Sequence, residues 1–193
     1  MGVPLQCSVL SGGPDRTRTL RGAALGALAA TVWALAQPLD KRLFRSEYDD
    51  VELLGRAVCS GDGWYPVGMA LHVQNGALFG AVYANVAPGI PLPPALRGPV
   101  LGAAEHLATW PLVLLGVRLH PARAVLQPRA CNWRAFAKAL WEHALFGLLL
   151  GELDRRLSTL PEDSPHPLPA DYSSNGHGRL QDTITVTSYD SAR

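Results

Sequence analysis

The chain has 193 residues, a formal net charge of +1 at pH 7, 48% apolar and only 17% charged residues. A charged share below the roughly 25% of soluble domains points toward an apolar environment. Near-neutrality gives no reason to expect a nucleic-acid or strongly acidic partner. Cys7, Cys59 and Cys131 are scattered without a CxxC spacing, which argues against a disulfide framework and a zinc site. Arginine outnumbers lysine 15 to 2, a bias that fits a GC-rich bacterial genome.

In chain order, residues 1–21 read as a polar arm rich in Gly, Ser and Arg. Gly2 lacks the Ser or Thr at position 6 that myristoylation needs, and no apolar run precedes Cys7 as a signal sequence would require. Residues 22–39 form an uncharged 18-residue stretch, at the lower edge of a membrane-spanning helix. Asp40 to Asp62 carries four Arg/Lys and six Asp/Glu. Its apolar positions Leu43, Phe44, Val51, Leu53, Leu54 and Val58 predict a short interfacial helix.

The second span is expected over 66–86, within 34 residues without formal charge between Asp62 and Arg97. Pro88, Pro91, Pro93 and Pro94 end it. The third span, 98–117, contains Glu105 and His106 and is expected to kink near Pro111. Residues 118–132 read as a loop. The fourth span, 133–153, carries Lys138, Glu142 and His143. Residues 157–193 have the composition of a disordered tail; Thr183 to Ser188 alternates like a strand but has nothing to pair with.

Two of these spans carry matching stripes at four-residue spacing, which places every member near one helical face. One stripe is Gly68, His72, Gly76, Gly80 and Ala84; the other is Ala135, Ala139, His143, Gly147 and Gly151. Small residues on one face let helix backbones approach closely in lipid. Gly22 and Gly26 in the first span, and Gly98 and Gly102 in the third, extend the pattern. With four antiparallel spans, all these glycines fall at the end of the bundle holding both termini. His72, His106 and His143 then lie at similar depth beyond the glycine layer. Trp33, Trp64 and Trp133 are expected at the opposite ends of their helices, as interfacial anchors. Eight basic residues border the spans on that opposite side against six on the terminal side, which leans it toward the cytoplasm. A soluble core is the competing reading, but a helix as apolar all round as the second span needs lipid or far more protein to bury it.

The expected fold is therefore an all-α, polytopic membrane helix bundle of about four transmembrane helices, with a disordered C-terminal tail. Ionisable residues inside a bilayer are costly and point to a functional site or an internal pair. The candidate buried polar site comprises His72, Glu105, His106, Lys138, Glu142 and His143. Lys138 lies one turn before Glu142 and can neutralise it; Glu105 needs a proton, His106 or a partner on another helix. Three readings are open. The first is that the residues fix helix packing in a structural or accessory membrane protein, which is the function expected here; the alternatives are a proton or ion path and, second, haem or metal binding through the histidines. No spacing motif requires a cofactor, and nothing favours an enzyme: no nucleophile motif or phosphate loop is present.

The runs GAALGALAATVWALAQPL, HVQNGALFGAVYA and WEHALFGLLLGEL resemble those of small bacterial inner-membrane proteins of the YagU-like type. Those read G-x3-G-x-x-A-T in the first span and H-x3-G-x3-G in later ones. The resemblance covers about Arg21 to Leu153. It implies a multi-pass protein of the bacterial cytoplasmic membrane, of unassigned activity. Its partners would be the lipid bilayer and, in addition, a second copy or another membrane protein.

Overall fold

The computed structural model describes residues 15–158, which are all-α: six helices and one 3-10 turn. Helix α1 runs Arg16–Phe44. Asp15 caps it, accepting from the Thr17 N–H at 2.9 Å, so the helix begins inside the stretch expected to be a polar arm. A capping carboxylate satisfies a terminal N–H that the polar composition of the arm concealed. At the other end Arg45 takes a left-handed conformation with φ 49°, and the helix stops. Helix α2, Asp50–Val58, is the expected short helix. Asp49 caps it through the N–H groups of Val51 and Glu52.

Helix α3 spans Trp64–Val86, and the 3-10 turn Ala87–Gly89 leads into the proline run. Helix α4, Pro94–Leu119, starts on a proline, whose missing N–H costs nothing in a first turn, and runs through Pro99 and Pro111. Residues 123–130, expected to be loop, form helix α5, Arg123–Ala130. Pro128 reads as a breaker, yet it removes a single hydrogen bond, and Leu126 and Ala130 are buried to offset it. Helix α6 is Trp133–Ser158, longer at its C-terminus than expected. The alternating segment Thr183 to Ser188 and the rest of the expected tail from residue 159 lie outside the described residues.

The long helices pair through their small residues. On α1 a Cβ at Gly22 would strike the Gly80 carbonyl and the Ala84 methyl of α3, and one at Gly26 would strike the Gly76 carbonyl. On α4 a Cβ at Gly98 would strike the Gly147 carbonyl of α6, and one at Gly102 the His143 carbonyl. Both pairs are antiparallel. The short α2 crosses α3 as closely, with Gly55 on the Trp64 carbonyl and Gly68 on the Val51 carbonyl.

The two hairpins repeat one another. Arg-Gly-x2-Leu-Gly-Ala occurs at 21–27 and 97–103, and Ala-Leu-Phe-Gly at 77–80 and 144–147. In each half a long helix, a short helix and a second long helix follow in order, and equivalent glycines meet equivalent partners. The halves join through α1 and α6, where Leu25, Ala29 and Ala30 meet Phe146 and Leu150. The symmetry-equivalent contact, α3 on α4, is not comparably developed among the described residues.

Two helices, α1 and α4, are long and apolar enough to cross a membrane, with mean hydropathies of 1.4 and 1.5. Only 39% and 22% of those stretches are buried, so most of their apolar surface faces outward. The second span, read as the strongest from its lack of charge, falls short of that measure because His72, Gln74 and Asn75 interrupt α3.

Gly98→Ala should destabilise the bundle by about 1–3 kcal/mol, the cost of overpacking a tight contact. Gly116→Ala, on the same helix with open space around it, should be neutral or stabilising by up to about 1 kcal/mol from helix propensity. Denaturant unfolding in detergent, followed by circular dichroism, separates the two; equal losses would remove the close-contact account.

Candidate functional site

Beyond the glycine contacts the helices diverge, and a cavity of about 290 Å³ opens between α3 and α4. One wall is α1 and α6, contributing Ala30, Trp33, Ala139 and His143. Phe79 and Phe146, in contact with their ring centroids 5.3 Å apart, bound it toward the glycine layer. Tyr48 and the residues Asp50, Leu53 and Leu54 of α2 cover the opposite end.

Four of the six sequence-predicted polar residues, His72, Glu105, His106 and His143, line this cavity. Their rings form a continuous chain. His72 lies 4.7 Å from Trp33, Trp33 lies 4.9 Å from His143, and His143 lies 4.9 Å from His106. His106 continues to Trp110 at 5.1 Å. Trp33, expected as an interfacial anchor at a helix end, instead sits at the centre, because α1 continues to Phe44.

Glu105, which had no partner on its own helix, pairs with His143 across the α4–α6 contact, Oε2 to Nε2 at 3.1 Å. The other ring nitrogen of His143 donates to the Ala139 carbonyl at 2.7 Å. Both nitrogens therefore face acceptors, and one proton is held between Nε2 and the Glu105 carboxylate. Either the imidazolium donates it or the carboxylic acid does. The Glu105 side chain is 36% exposed, so the shared proton is within reach of the surroundings.

His72 and His106 differ. Each turns one nitrogen toward a backbone carbonyl, that of Ala30 and of Phe136 respectively. The Nε2 of each is buried without a hydrogen-bond partner, as are Oδ2 of Asp50 and Nε1 of Trp33. Buried polar atoms are ordinarily partnered, and four side chains lining this cavity each leave one without a partner.

Lys138 and Glu142, the remaining two predicted residues, do not join this cavity. They lie in the α1–α6 interface with no exposure, Lys138 Nζ to Glu142 Oε1 at 2.6 Å. Lys138 also donates to Gln37 Oε1 at 2.7 Å. The polar layer thus divides into a sealed ion pair and an accessible histidine group. Among the described residues no three His, Cys, Asp or Glu side chains are disposed to hold a metal ion.

Sequence reasoning missed Trp33, Gln37, Tyr48 and Asp50. Gln37 precedes Pro38 and reads as the end of a span, and Asp50 reads as one more charge in an acidic loop. Tyr48 donates its hydroxyl to Asp50 Oδ1 at 2.5 Å. Burial, with the neighbouring Asp50 charge, holds that phenol protonated well above its ordinary range.

The end near Tyr48 is fastened across the two halves. Arg129 of α5 donates to Glu52 of α2 at 2.7 Å, and Arg56 donates to the other oxygen of the same carboxylate at 2.8 Å. His120 Nε2 donates to the Leu53 carbonyl at 3.0 Å, while its Nδ1 accepts from the Ala122 N–H. Tyr48 itself packs with Val117, Leu126 and Ala135 of the second half.

No family model matches the chain, and no curated protein or solved structure matches it.

Lys138→Met alone leaves Glu142 buried and unpaired and should cost about 3–5 kcal/mol; adding Glu142→Leu should recover most of that loss. Denaturant titration of both proteins in detergent checks it, and a double variant no better than the single one would contradict the sealed pair. Tyr48 gives a pH signature. Its phenol ionises more readily unfolded than folded, so stability is whole below the unfolded value near pH ~10 and declines above it. Tyr48→Phe should flatten that alkaline decline, read from melting temperatures across the range.

Proposed function

We propose that the chain is a multi-pass membrane protein, a four-span bundle that carries out proton-linked transport through the layer of Glu105, His143, His72 and His106. The observation that carries this reading is the pairing of Glu105 with His143, Oε2 to Nε2 at 3.1 Å and 36% exposed at Glu105, on the wall of a cavity that His72 and His106 also line. A packing role fits less well. Lys138 and Glu142 are sealed without exposure, whereas the Glu105 carboxylate stays 36% exposed beside the cavity. A metal ion finds no group of three His, Cys, Asp or Glu ligands among the described residues.

Membrane location is supported by the outward apolar residues on all four long helices. Leu28, Val32 and Leu35 of α1, Leu78 and Val82 of α3, Leu107, Leu112 and Leu115 of α4, and Leu145 and Leu148 of α6 are exposed. Surfaces of that extent on every face belong in contact with lipid or protein. The bacterial cytoplasmic membrane fits the arginine bias and the resemblance of the spans. The repeated halves support transport further. Membrane carriers are commonly built from repeats, with the working site between them near the bilayer midplane.

In this reading Glu105 and His143 hand the proton on, and His72 and His106 offer the next lone pairs along the ring chain. Proteoliposomes under an inside-negative potassium diffusion potential should acidify faster than protein-free vesicles, followed with a trapped pH dye. Glu105→Gln should bring the rate down to that of protein-free vesicles, and Gly116→Ala should leave it unchanged. A wild-type rate no faster than empty vesicles, or a Glu105→Gln rate equal to wild type, overturns the proposal.

A further inference from the structure

Outside the histidine cavity, a groove of about 460 Å³ runs between α1 and α6. Ala29, Val32 and Ala36 form one bank, and Leu145, Leu148 and Leu149 the other. The α1 bank, from Ala29 to Asp40, extends about 16 Å at the helical rise of about 1.5 Å per residue. Asp40 ends this apolar run. It is 6% exposed and lines the groove, and it makes no side-chain hydrogen bond or ion pair among the described residues. Lys138 reaches Gln37, three residues before Asp40, but its ammonium is held by Gln37 and Glu142 and faces the Tyr48 ring. On the same walls Glu142 Oε2 and Trp33 Nε1 are sealed, whereas the Asp40 carboxylate keeps access to the groove. A buried carboxylate is costly without a partner, so the groove lacks a positive charge at that end.

We infer that this groove binds an aminophospholipid, with one acyl chain along the apolar banks and the primary ammonium of its head on Asp40. Depth agrees with this. Asp40 lies one turn before the end of α1 at Phe44, at the level where a headgroup meets hydrocarbon. Arg134 supplies the matching charge for the phosphate. It precedes Glu152 by 18 residues, five helical turns, so it opens the face of α6 that Leu145 and Glu152 carry along the groove. Its exposed guanidinium stands 5.7 Å over the Trp133 ring and has no carboxylate partner among the described residues. Tryptophan beside arginine at a helix end is the composition of a membrane boundary. A choline head would bring the charge without an N–H to donate. An anionic head would meet Asp40 with its own sign, and a bare hydrocarbon would leave the carboxylate unpaired.

The assignment rests on the membrane location proposed above and on nothing in the proton path. Full-length protein in detergent is titrated with phosphatidylethanolamine, phosphatidylcholine or phosphatidylglycerol of identical acyl chains, and bound lipid is counted by native mass spectrometry. Phosphatidylethanolamine should bind about tenfold tighter than phosphatidylcholine, the effect of one charge-assisted hydrogen bond. Asp40→Asn should bring the two to equal affinity. Arg134→Gln should weaken both alike, through the phosphate they share. Ala36→Trp, which fills the groove and keeps Asp40, should weaken both as well. If Asp40→Asn fails to fold, the wild-type preference and Ala36→Trp decide the matter.

The assignment is overturned by equal wild-type affinity for the ethanolamine and choline lipids, by a preference that survives Asp40→Asn, or by unchanged binding in Ala36→Trp. Displacement of the lipid by free ethanolamine would overturn it too, because the site would then take a soluble amine. Lipid preference without Glu105-dependent proton flux keeps this site and removes transport. Flux without lipid preference does the reverse, and protein that stays soluble without detergent removes both.

Discussion

Everything in this bundle depends on the backbone-to-backbone approach of α1 to α3 and of α4 to α6. With glycine at Gly22, Gly26, Gly98 and Gly102, helix surfaces meet at carbonyl oxygens and leave no room for a Cβ. Van der Waals contact at this range holds each helix pair together over the small-residue faces. Close Cα–H to carbonyl contacts add a second-order gain. The same approach dictates where volume remains. Helices clamped together at one end hold their larger side chains at the other, and the cavity forms where the stripes change from glycine to histidine.

That change separates two ways of placing charge inside an apolar bundle. Lys138 and Glu142 are sealed at 0% exposure, the charges adjacent and Gln37 supplying a further acceptor. A buried pair of this kind stabilises little over an apolar equivalent, but removing one member is severe. It therefore fixes how α1 and α6 sit on each other. Glu105 and His143 are arranged oppositely. They border a cavity, and the Glu105 side chain is 36% exposed, so this pair is reached from outside where the other is not. The difference is one of access, and it follows from which side of α6 each residue occupies. A four-residue step from Lys138 to Glu142 keeps that pair on one face, while the single step from Glu142 to His143 turns about 100° to the cavity face.

Much of this was legible in the residues. The stripe spacing placed Gly76, Gly80, Gly147 and Gly151 against other helices, and the histidines embedded in those stripes had to follow them inward. Helix ends were less legible. Asp15 looks like any polar residue until it caps Thr17, and Pro128 looks like a break until two buried neighbours hold its short helix together. The missing members of the site were invisible for a common reason. Asp50 and Tyr48 belong to a charged connection, and only the close crossing of α2 over α3 at Gly55 and Gly68 carries them over the cavity. The repeated Arg-Gly-x2-Leu-Gly-Ala and Ala-Leu-Phe-Gly segments were a readable signal of two equivalent halves. Aligning them would have paired the glycines of each hairpin correctly.

The repeat also explains why the cavity is where it is. Two equivalent hairpins related by an axis along the bundle would make two equivalent contacts, α1 on α6 and α4 on α3. The first is filled by Leu25, Ala29, Phe146 and Leu150; the second stands apart around the cavity. Sequence differences between the halves account for the asymmetry. Position 76 is glycine where its counterpart is His143, and Ala30 stands where the second half has His106. The second half thus carries two imidazoles in place of small residues, both directed to the side where α3 would otherwise close. Closure on the far side is left to α2, α5, the joints Glu52–Arg129 and His120–Leu53, and the buried cluster of Tyr48, Val117, Leu126 and Ala135. The cavity is therefore bounded by glycine contacts at one end and, at the other, by these joints and the apolar cluster under them, where Asp50 is held by the Tyr48 hydroxyl.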